Sequence, residues 1–444
     1  MKKILYVVFV SSGMTVLSLS AGAQKAPDTV LQQVTLPQVV EFALKHYPLV
    51  QQALLDEQIT DRQIRGKLAD WYPQLNLNAT YQNNFQLQSF VVNGNVNHSG
   101  AYNTSVVGLG LTQNIFNRDV LLASRTKNDA LKLSRQATAT DKISLVVDVS
   151  KAFYDVLLTQ QQIVVLNDDI RRLERNLKDT YNQYQGGLVD KTDYKRATIS
   201  LNNSKAQLKT NQEALKAKYK VLQQLMGYTG PLSNDTLRLV YDSTQMAADV
   251  LIDTLATVDY NKRIEYQTLL TQKKLQQANL SYEKWSYLPT LTANAAYNMN
   301  YFSNRFPKLY DNNFPNSYAG VQLSFPIFQG TKRTQNIKIA ELQITRLDWD
   351  IVDLQNSIST QYAQALAAYK GYLNNYYILK ENLELARDVF NTIELQYRSG
   401  IKAYLELITA ETDLRTAQSN FSDALYQVLS SKLDVQKASG NITF

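Results

Sequence analysis

Cysteine is missing from all 444 residues. Its absence excludes a disulfide framework, a lipid-modified cysteine and a thiolate metal site. Histidine occurs only twice, at His46 and His98, in different predicted elements, which leaves little for histidine-based catalysis or a metal centre. No G-x-S-x-G, Walker A or G-x-G-x-x-G pattern is present. The chain therefore reads as no enzyme, with no cofactor and no metal. After the first residues no run of about 18 apolar residues occurs, so no transmembrane helix is expected. Any membrane crossing must then use strands, because lipid leaves no other way to satisfy the backbone. The net charge of +7 is spread along helices as partners of Asp and Glu, which is no nucleic-acid footprint.

What is present begins with an export signal. Lys2-Lys3 gives the basic start, Ile4 to Leu19 is largely apolar, and Ala21-Gly22-Ala23 fits the small-residue cleavage rule. Residues 1–23 read as a signal peptide, with a mature chain of charge +5 starting at Gln24 once Lys2 and Lys3 are removed. The alternative, an N-terminal anchor, suits the short stretch poorly, since Ser11, Ser12 and Gly13 interrupt it.

The remaining chain is written twice. Trp71-Tyr72-Pro73-Gln74-Leu75 returns as Trp285-Ser286-Tyr287-Leu288-Pro289-Thr290-Leu291. Leu111-Thr112-Gln113-Asn114-Ile115-Phe116 returns as Leu323-Ser324-Phe325-Pro326-Ile327-Phe328. Gln183-Tyr184-Gln185-Gly186-Gly187 returns as Gln396-Tyr397-Arg398-Ser399-Gly400, an offset near 213. Residues 24–230 form a first structural repeat, and 231–444 a link followed by the second. Each repeat reads helix, strand, loop, strand, very long helix, tight turn, helix.

In the first repeat a short helix spans Leu36 to Lys45, and a second runs to about Asp70, where Pro73 stops it. From Gln74 alternation is strict: Leu75, Leu77, Ala79 and Tyr81 face one way, and Gln74, Asn76, Asn78 and Thr80 the other. Residues 86–101, rich in Asn, Gly and Ser, read as a loop. Val107, Leu109 and Leu111 then alternate in a second strand. From Arg118 to Gln185 there is neither Gly nor Pro, about 100 Å of helix at 1.5 Å per residue. Its distal half carries a heptad seam from Ile163 to Tyr184, and the return helix carries its own from Tyr194 to Leu225, with polar members Ser204 and Asn211. In the second repeat a short helix is expected near 247–258, a helix to about Trp285, strands at 289–299 and 317–327 around a loop, and a long helix from about Thr331 to Arg398. All nine prolines lie outside the four longest helices.

Four strands cannot close a membrane barrel, which in single chains starts at about 8. Copies of the chain must pool their strands. Trp71, Tyr72, Phe116, Trp285, Tyr287 and Phe328 fall at strand–helix junctions, where an interfacial aromatic girdle would sit against lipid. The competing reading is a soluble β-hairpin packed on its own helices.

With these residues in hand, the chain resembles the TolC family of outer membrane efflux proteins. The resemblance covers nearly all of the mature chain. It is carried by the Leu36-to-Pro73 segment ending in Tyr-Pro-Gln-Leu, by residues 111–116 and 323–330, and by the two Tyr-x-x-Gly turns. It implies a mainly α fold with a membrane β-barrel contribution: a homotrimer with a 12-stranded barrel in the outer membrane and a long coiled-coil α-barrel in the periplasm. The implied function is a passive channel-tunnel for tripartite efflux or type I secretion, serving a periplasmic adaptor protein and an inner-membrane pump. The loops at 86–101 and 303–316 would face outward.

Site residues follow by position. The turns at 186–193 and 399–406 would form the periplasmic tip, with Gly187, Leu188, Gly400 and Ile401 meeting the adaptor. Asp193 would bond to Tyr397 and Lys402 and hold the entrance shut. Glu406 would project into the pore as a ring of three carboxylates. Thr409 stands where the family has a second acidic ring, a departure from its pattern. Without the resemblance, ordinary capping and solvation would explain these side chains. A plain porin fails because helices dominate. A periplasmic coiled-coil adaptor or scaffold without a pore is the alternative, but it leaves the two matched hairpins unexplained.

Overall fold

A computed structural model describes residues 33–229, 238–240, 249–254 and 257–443. The expected signal peptide, residues 24–32 of the expected mature chain and most of the link after 230 lie outside the described residues; of the short helix expected near 247–258, residues 250–254 and 257–258 are described and are not helical.

Two short helices open the first repeat, α1 (Leu36–His46) and α2 (Pro48–Ala69). Pro48 sits in the first turn of α2, where its missing N–H costs nothing. Strand β2 (Gln74–Asn83) pairs antiparallel with β5 (Asn103–Phe116). Between them lies a feature the composition hid. Residues 88–99 are a hairpin, β3 (Gln88–Val92) against β4 (Asn95–Ser99), and not an irregular loop. Asn93 and Gly94 both take positive φ, 51° and 80°, and two such residues make the turn that matches strand twist. A two-residue parallel pairing joins β1 (Gln33–Val34) to β6 (Arg238–Leu239).

The long helices match their sequence signals closely. Helix α3 runs Arg118–Gln185, 68 residues, capped by the Asn117 side chain, which accepts from the Asp119 N–H at 2.8 Å. Its return partner α4 is Lys191–Met226, 36 residues. The second repeat supplies α5 (Ile264–Lys284), β7 (Thr290–Ser303), β8 (Asn316–Ser324), α6 (Lys332–Arg398) and α7 (Tyr404–Ser439). Helix α6 has 67 residues and α7 has 36, nearly the lengths of their counterparts. Strand β8 ends at Ser324 and does not reach 327; Pro326 cannot donate to a ladder.

The four long strands make one antiparallel sheet in the order β2-β5-β7-β8. Its register sorts side chains cleanly. Leu77, Leu109, Tyr297 and Ser317 lie in one row, and Leu75, Leu111, Ala295 and Ala319 in the next on the same face. The opposite face carries Asn76, Asn78, Thr112, Asn294 and Gln322. A Cβ at Gly108 would stand 2.2 Å from the Asn298 side-chain oxygen, so a larger residue there would need the Asn298 side chain to turn away. Strands β2 and β8 are the two sheet edges.

Helix α3 packs on α4, α2, α5, α1 and α7, and α6 packs on α7 and α5. The main core forms where α1 crosses the arms, with Val39, Val50, Phe153, Leu222, Tyr369 and Leu429 almost fully buried. The predicted seams continue outward as smaller cores. Ile170, Leu173 and Leu201 form one; Ala197, Phe390, Leu407, Ala410 and Leu414 form another. Ser204, a polar member of its seam, is wholly buried and accepts from Arg415 Nη1 at 2.8 Å. Among the described residues no helix is long and apolar enough to cross a membrane.

Candidate functional site

Both arm hairpins reverse through the same backbone device. Gly187 takes φ 72°, its N–H bonds Tyr184 O at 3.0 Å, and the Leu188 N–H bonds Gln183 O at 2.9 Å. Gly400 takes φ 73°, its N–H bonds Tyr397 O at 2.9 Å, and the Ile401 N–H bonds Gln396 O at 2.9 Å. Each is a Schellman ending, in which a left-handed residue turns the chain and satisfies the last carbonyls. The apolar residue after each glycine, which often packs back on its helix, points to solvent here: Leu188 is 79% exposed and Ile401 71%.

Beyond the glycines the two turns diverge. Asp190 caps α4, accepting from the Thr192 N–H at 2.7 Å, and that backbone bond holds its carboxyl below the usual range. Ala403 stands in the matching place and provides no side-chain cap. Instead Lys402 reaches Glu406, one turn on, at 2.6 Å.

Here the structure differs from the expected latch. The Lys402 ammonium, in the turn before α7, is taken by Glu406 in the first turn of that helix rather than by Asp193. The Tyr397 hydroxyl donates to Gln183 Oε1 at 3.2 Å, also not to Asp193. Asp193 still lies close enough to raise the Tyr397 and Tyr404 phenols, after burial, the larger cause for both. Thr409 bonds back to Leu405 O at 2.8 Å and lines an open groove between α4 and α7 with Arg196, Ile408 and Asp413.

At the other end of the arms the six junction aromatics gather between sheet and helices. Tyr72, Tyr287 and Phe328 are well exposed, and Trp71 more modestly so. Arginines back this band: Arg125 lies over Trp285 at 4.7 Å, and Arg333 over Tyr287 at 5.0 Å. Sequence reading missed a second aromatic group at the far end of the strands. Tyr81 meets Phe306 at 5.6 Å, Tyr301 meets Tyr310 at 5.1 Å, and Phe302 meets Phe314 at 5.8 Å. The segment between β7 and β8 thus folds onto the sheet, burying Leu309 fully, rather than standing off as a free loop. The concentration of Phe and Tyr in 301–314 was the available signal.

Charged residues at the flank of the seams were also missed. Asp169 and Glu411 are 2% and 3% exposed. Arg172 bonds Asp169, approaches Glu411 at 3.9 Å, and stacks over Phe390. The two histidines have separate surroundings. His46 stacks on Phe42 with ring centroids 4.0 Å apart, and His98 pairs with Ser89 at 3.0 Å. Among the described residues no group of His, Cys, Asp and Glu could hold a metal ion.

Comparison with known proteins agrees with this geometry. The family model described as "Outer membrane efflux protein" matches residues 39–228 and 267–441, one stretch in each repeat. The Vibrio cholerae outer membrane protein TolC is 21% identical over 453 residues, spanning 100% of this chain and 96% of the relative. The Escherichia coli protein of the same name is 21% identical, covering 93% and 83%. Among solved structures, the channel-forming protein CusC superposes with a TM-score of 0.71 at 17% identity, covering 94% and 95%. The Vibrio cholerae outer membrane protein VceC gives 0.69 at 14% identity, covering 91% and 96%.

Proposed function

The chain belongs to the outer membrane efflux protein family, and from that premise we propose how this molecule closes, opens and docks. Members are outer membrane channels of efflux or type I secretion systems. They form trimers and work with an adaptor and an inner-membrane pump, and this chain is such a channel. The observation that carries the reading is the open sheet. Strands β2 and β8 are unpaired edges that run antiparallel to each other. In lipid each unsatisfied edge group would cost several kcal/mol. Pairing β8 of one copy with β2 of the next satisfies both edges, and three copies close 12 strands.

In the assembled trimer the aliphatic face holding Leu75, Leu77, Leu109 and Leu111 turns to lipid, and the Asn- and Thr-rich face lines water. Trp71, Tyr72, Phe116, Trp285, Tyr287 and Phe328 mark the periplasmic boundary of the bilayer. The exposed Leu188 and Ile401 at the helix tips are the apolar contacts for the adaptor. Glu406 lines the narrow end of the duct, held by Lys402 in the resting chain. Asp193, beside Tyr397, forms the neighbouring wall. A ring of three carboxylates would draw cations into the entrance.

Purified protein in planar bilayers tests this reading. A trimer-sized band that resists detergent, together with discrete unitary currents, is expected. A monomer that partitions with periplasmic contents and carries no current would favour the scaffold reading. For the gate, Glu406→Gln should lower cation preference, and unchanged reversal potentials would remove Glu406 from the pore.

A further inference from the structure

Two carboxylates are buried at the seam where the two arm hairpins meet, well above the tip. Asp169 sits on α3 and Glu411 on α7, each nearly inaccessible. Around Glu411 every arm contributes. From α3 come Asp169 and Arg172, and Arg172 Nε lies 3.9 Å from Glu411 Oε1, too far for a hydrogen bond. From α7 come Arg415 and the buried phenol of Tyr404. Helix α6 brings Glu394, which pairs with Arg398 at 2.7 Å, and Phe390, over which Arg172 stacks at 5.1 Å. Helix α4 offers the neutral Ser204, which occupies Arg415, and Asp193, whose charge reaches the Tyr404 phenol.

The cluster is incompletely satisfied. Glu411 Oε1, Asp169 Oδ2, Arg172 Nε and the Tyr404 hydroxyl are buried without a hydrogen-bond partner. A buried carboxylate that no donor reaches is cheaper to keep neutral than charged. A cavity of about 260 Å³, lined by Asp169, Gln207, Asn211, Arg415 and Gln418, adjoins it and gives water and protons a way in.

We propose that this cluster is a proton-sensitive clasp between the two hairpins, holding them together while Glu411 carries a proton and loosening as that proton leaves. The proposal rests on the channel reading above, because parting the hairpins matters through the tip they carry. Burial, with like charge from Asp169 and Glu394, pushes the Glu411 carboxyl up to about 7 against the pull of Arg172 and Arg415. The packed seam therefore holds a proton that an unfolded carboxyl would release. The stabilisation from this group is complete in acid and is lost as the pH climbs toward about 7. Leaving charged, Glu411 must be hydrated through the cavity or drag Arg172 from Asp169, and both routes separate α3 from α7.

The test uses the full-length trimer. Amide exchange of α7 residues 407–415, corrected for the intrinsic pH effect, should quicken at least tenfold more than that of 425–435 between pH 5.5 and 8, roughly the population change of one pK unit. Glu411→Gln, fixed in the neutral form, should abolish that difference and keep unitary currents at their acid level throughout. Glu406→Gln serves as the pore-carboxylate control. Equal protection of 407–415 at both pH values in the wild-type trimer overturns the clasp, even if Glu411→Gln fails to assemble. So does a Glu411→Gln channel with the wild-type pH profile. A wild-type trimer without current at any pH would instead sink the channel reading, and the exchange experiment would still decide the clasp.

Discussion

Four helices end on the same backbone motif, yet two of these ends are locked and two are free. At the tips, Gly187 and Gly400 turn in open space, with nothing near a Cβ added to either. At the opposite ends, Gly227 and Gly440 take φ of 64° and 74° with the same pair of carbonyl bonds, but each is pressed against a segment entering another helix, α2 for Gly227 and α5 for Gly440. A Cβ on Gly227 would meet His46 O at 2.3 Å, and one on Gly440 would meet Lys262 O at 2.7 Å. The same turn serves as an anchor at one end of an arm and as an unconstrained apex at the other. Glycine at the tips is needed for φ alone; at the anchored ends it is needed for φ and for space.

Substitutions can break or sharpen that contrast. The largest effect is expected at the anchors. Gly227→Ala adds a clash with backbone to the left-handed strain, and a loss of about 3 kcal/mol or more should appear in thermal melting of the detergent-resistant trimer. Gly187→Ala should cost only the strain, about 1 kcal/mol. Equal losses would dissolve the distinction between anchor and apex.

Next in size is a functional effect without a structural one. Changing both Leu188 and Ile401 to Asp should leave the melting temperature alone, since both are exposed. Export in cells should fall about tenfold, equivalent to roughly 1.4 kcal/mol of adaptor binding. Normal export would mean the adaptor reads another surface.

A smaller difference separates the two apices. The Asp190 carboxylate caps α4 from a lowered pKa, so its contribution is present above the ordinary carboxylate range and is lost as the pH falls through its own value. Acid should therefore fray the first turn of α4 through loss of its cap, and fray that of α7 less, since Ala403 provides no side-chain cap to lose. Hydrogen exchange at residues 191–194 against 404–407 measures this, and Asp190→Ala should mimic it at neutral pH. The smallest effect is Lys402→Ala. Its pair with Glu406 is solvent-exposed, so melting should shift by less than about 0.5 kcal/mol, and any change should appear in conductance.

The contrast also shows what the sequence could disclose. Helix α3 was legible to the residue, because a stretch free of Gly and Pro between Asn117 and Gly186 leaves no other boundary. The seams were legible because Leu, Ile and Ala recur at heptad spacing, and the sheet faces because Leu75 to Tyr81 alternate. The 88–99 hairpin was not, because its polar composition masked the Asn93-Gly94 turn. Glycines 187 and 227 look alike on paper; only the approach of His46 tells them apart. Within this chain Lys402 takes Glu406, and the sequence alone could not rank Glu406 against Asp193, because both are plausible anions. Asp169 and Glu411 flank their seams, where charge usually means a solvated face, and burial by a second hairpin is invisible along one chain.

Anchoring at Gly227 has a mechanical consequence. Helix α4 is 36 residues long, about 54 Å from pivot to apex at 1.5 Å per residue. A swing of roughly 5° about that pivot carries the apex about 5 Å sideways, nearly one helical turn. Motion at the base so slight that the packed core around Val39 and Leu222 could absorb it becomes, at the far end of the proposed channel, a displacement large enough to tell a shut aperture from a passable one.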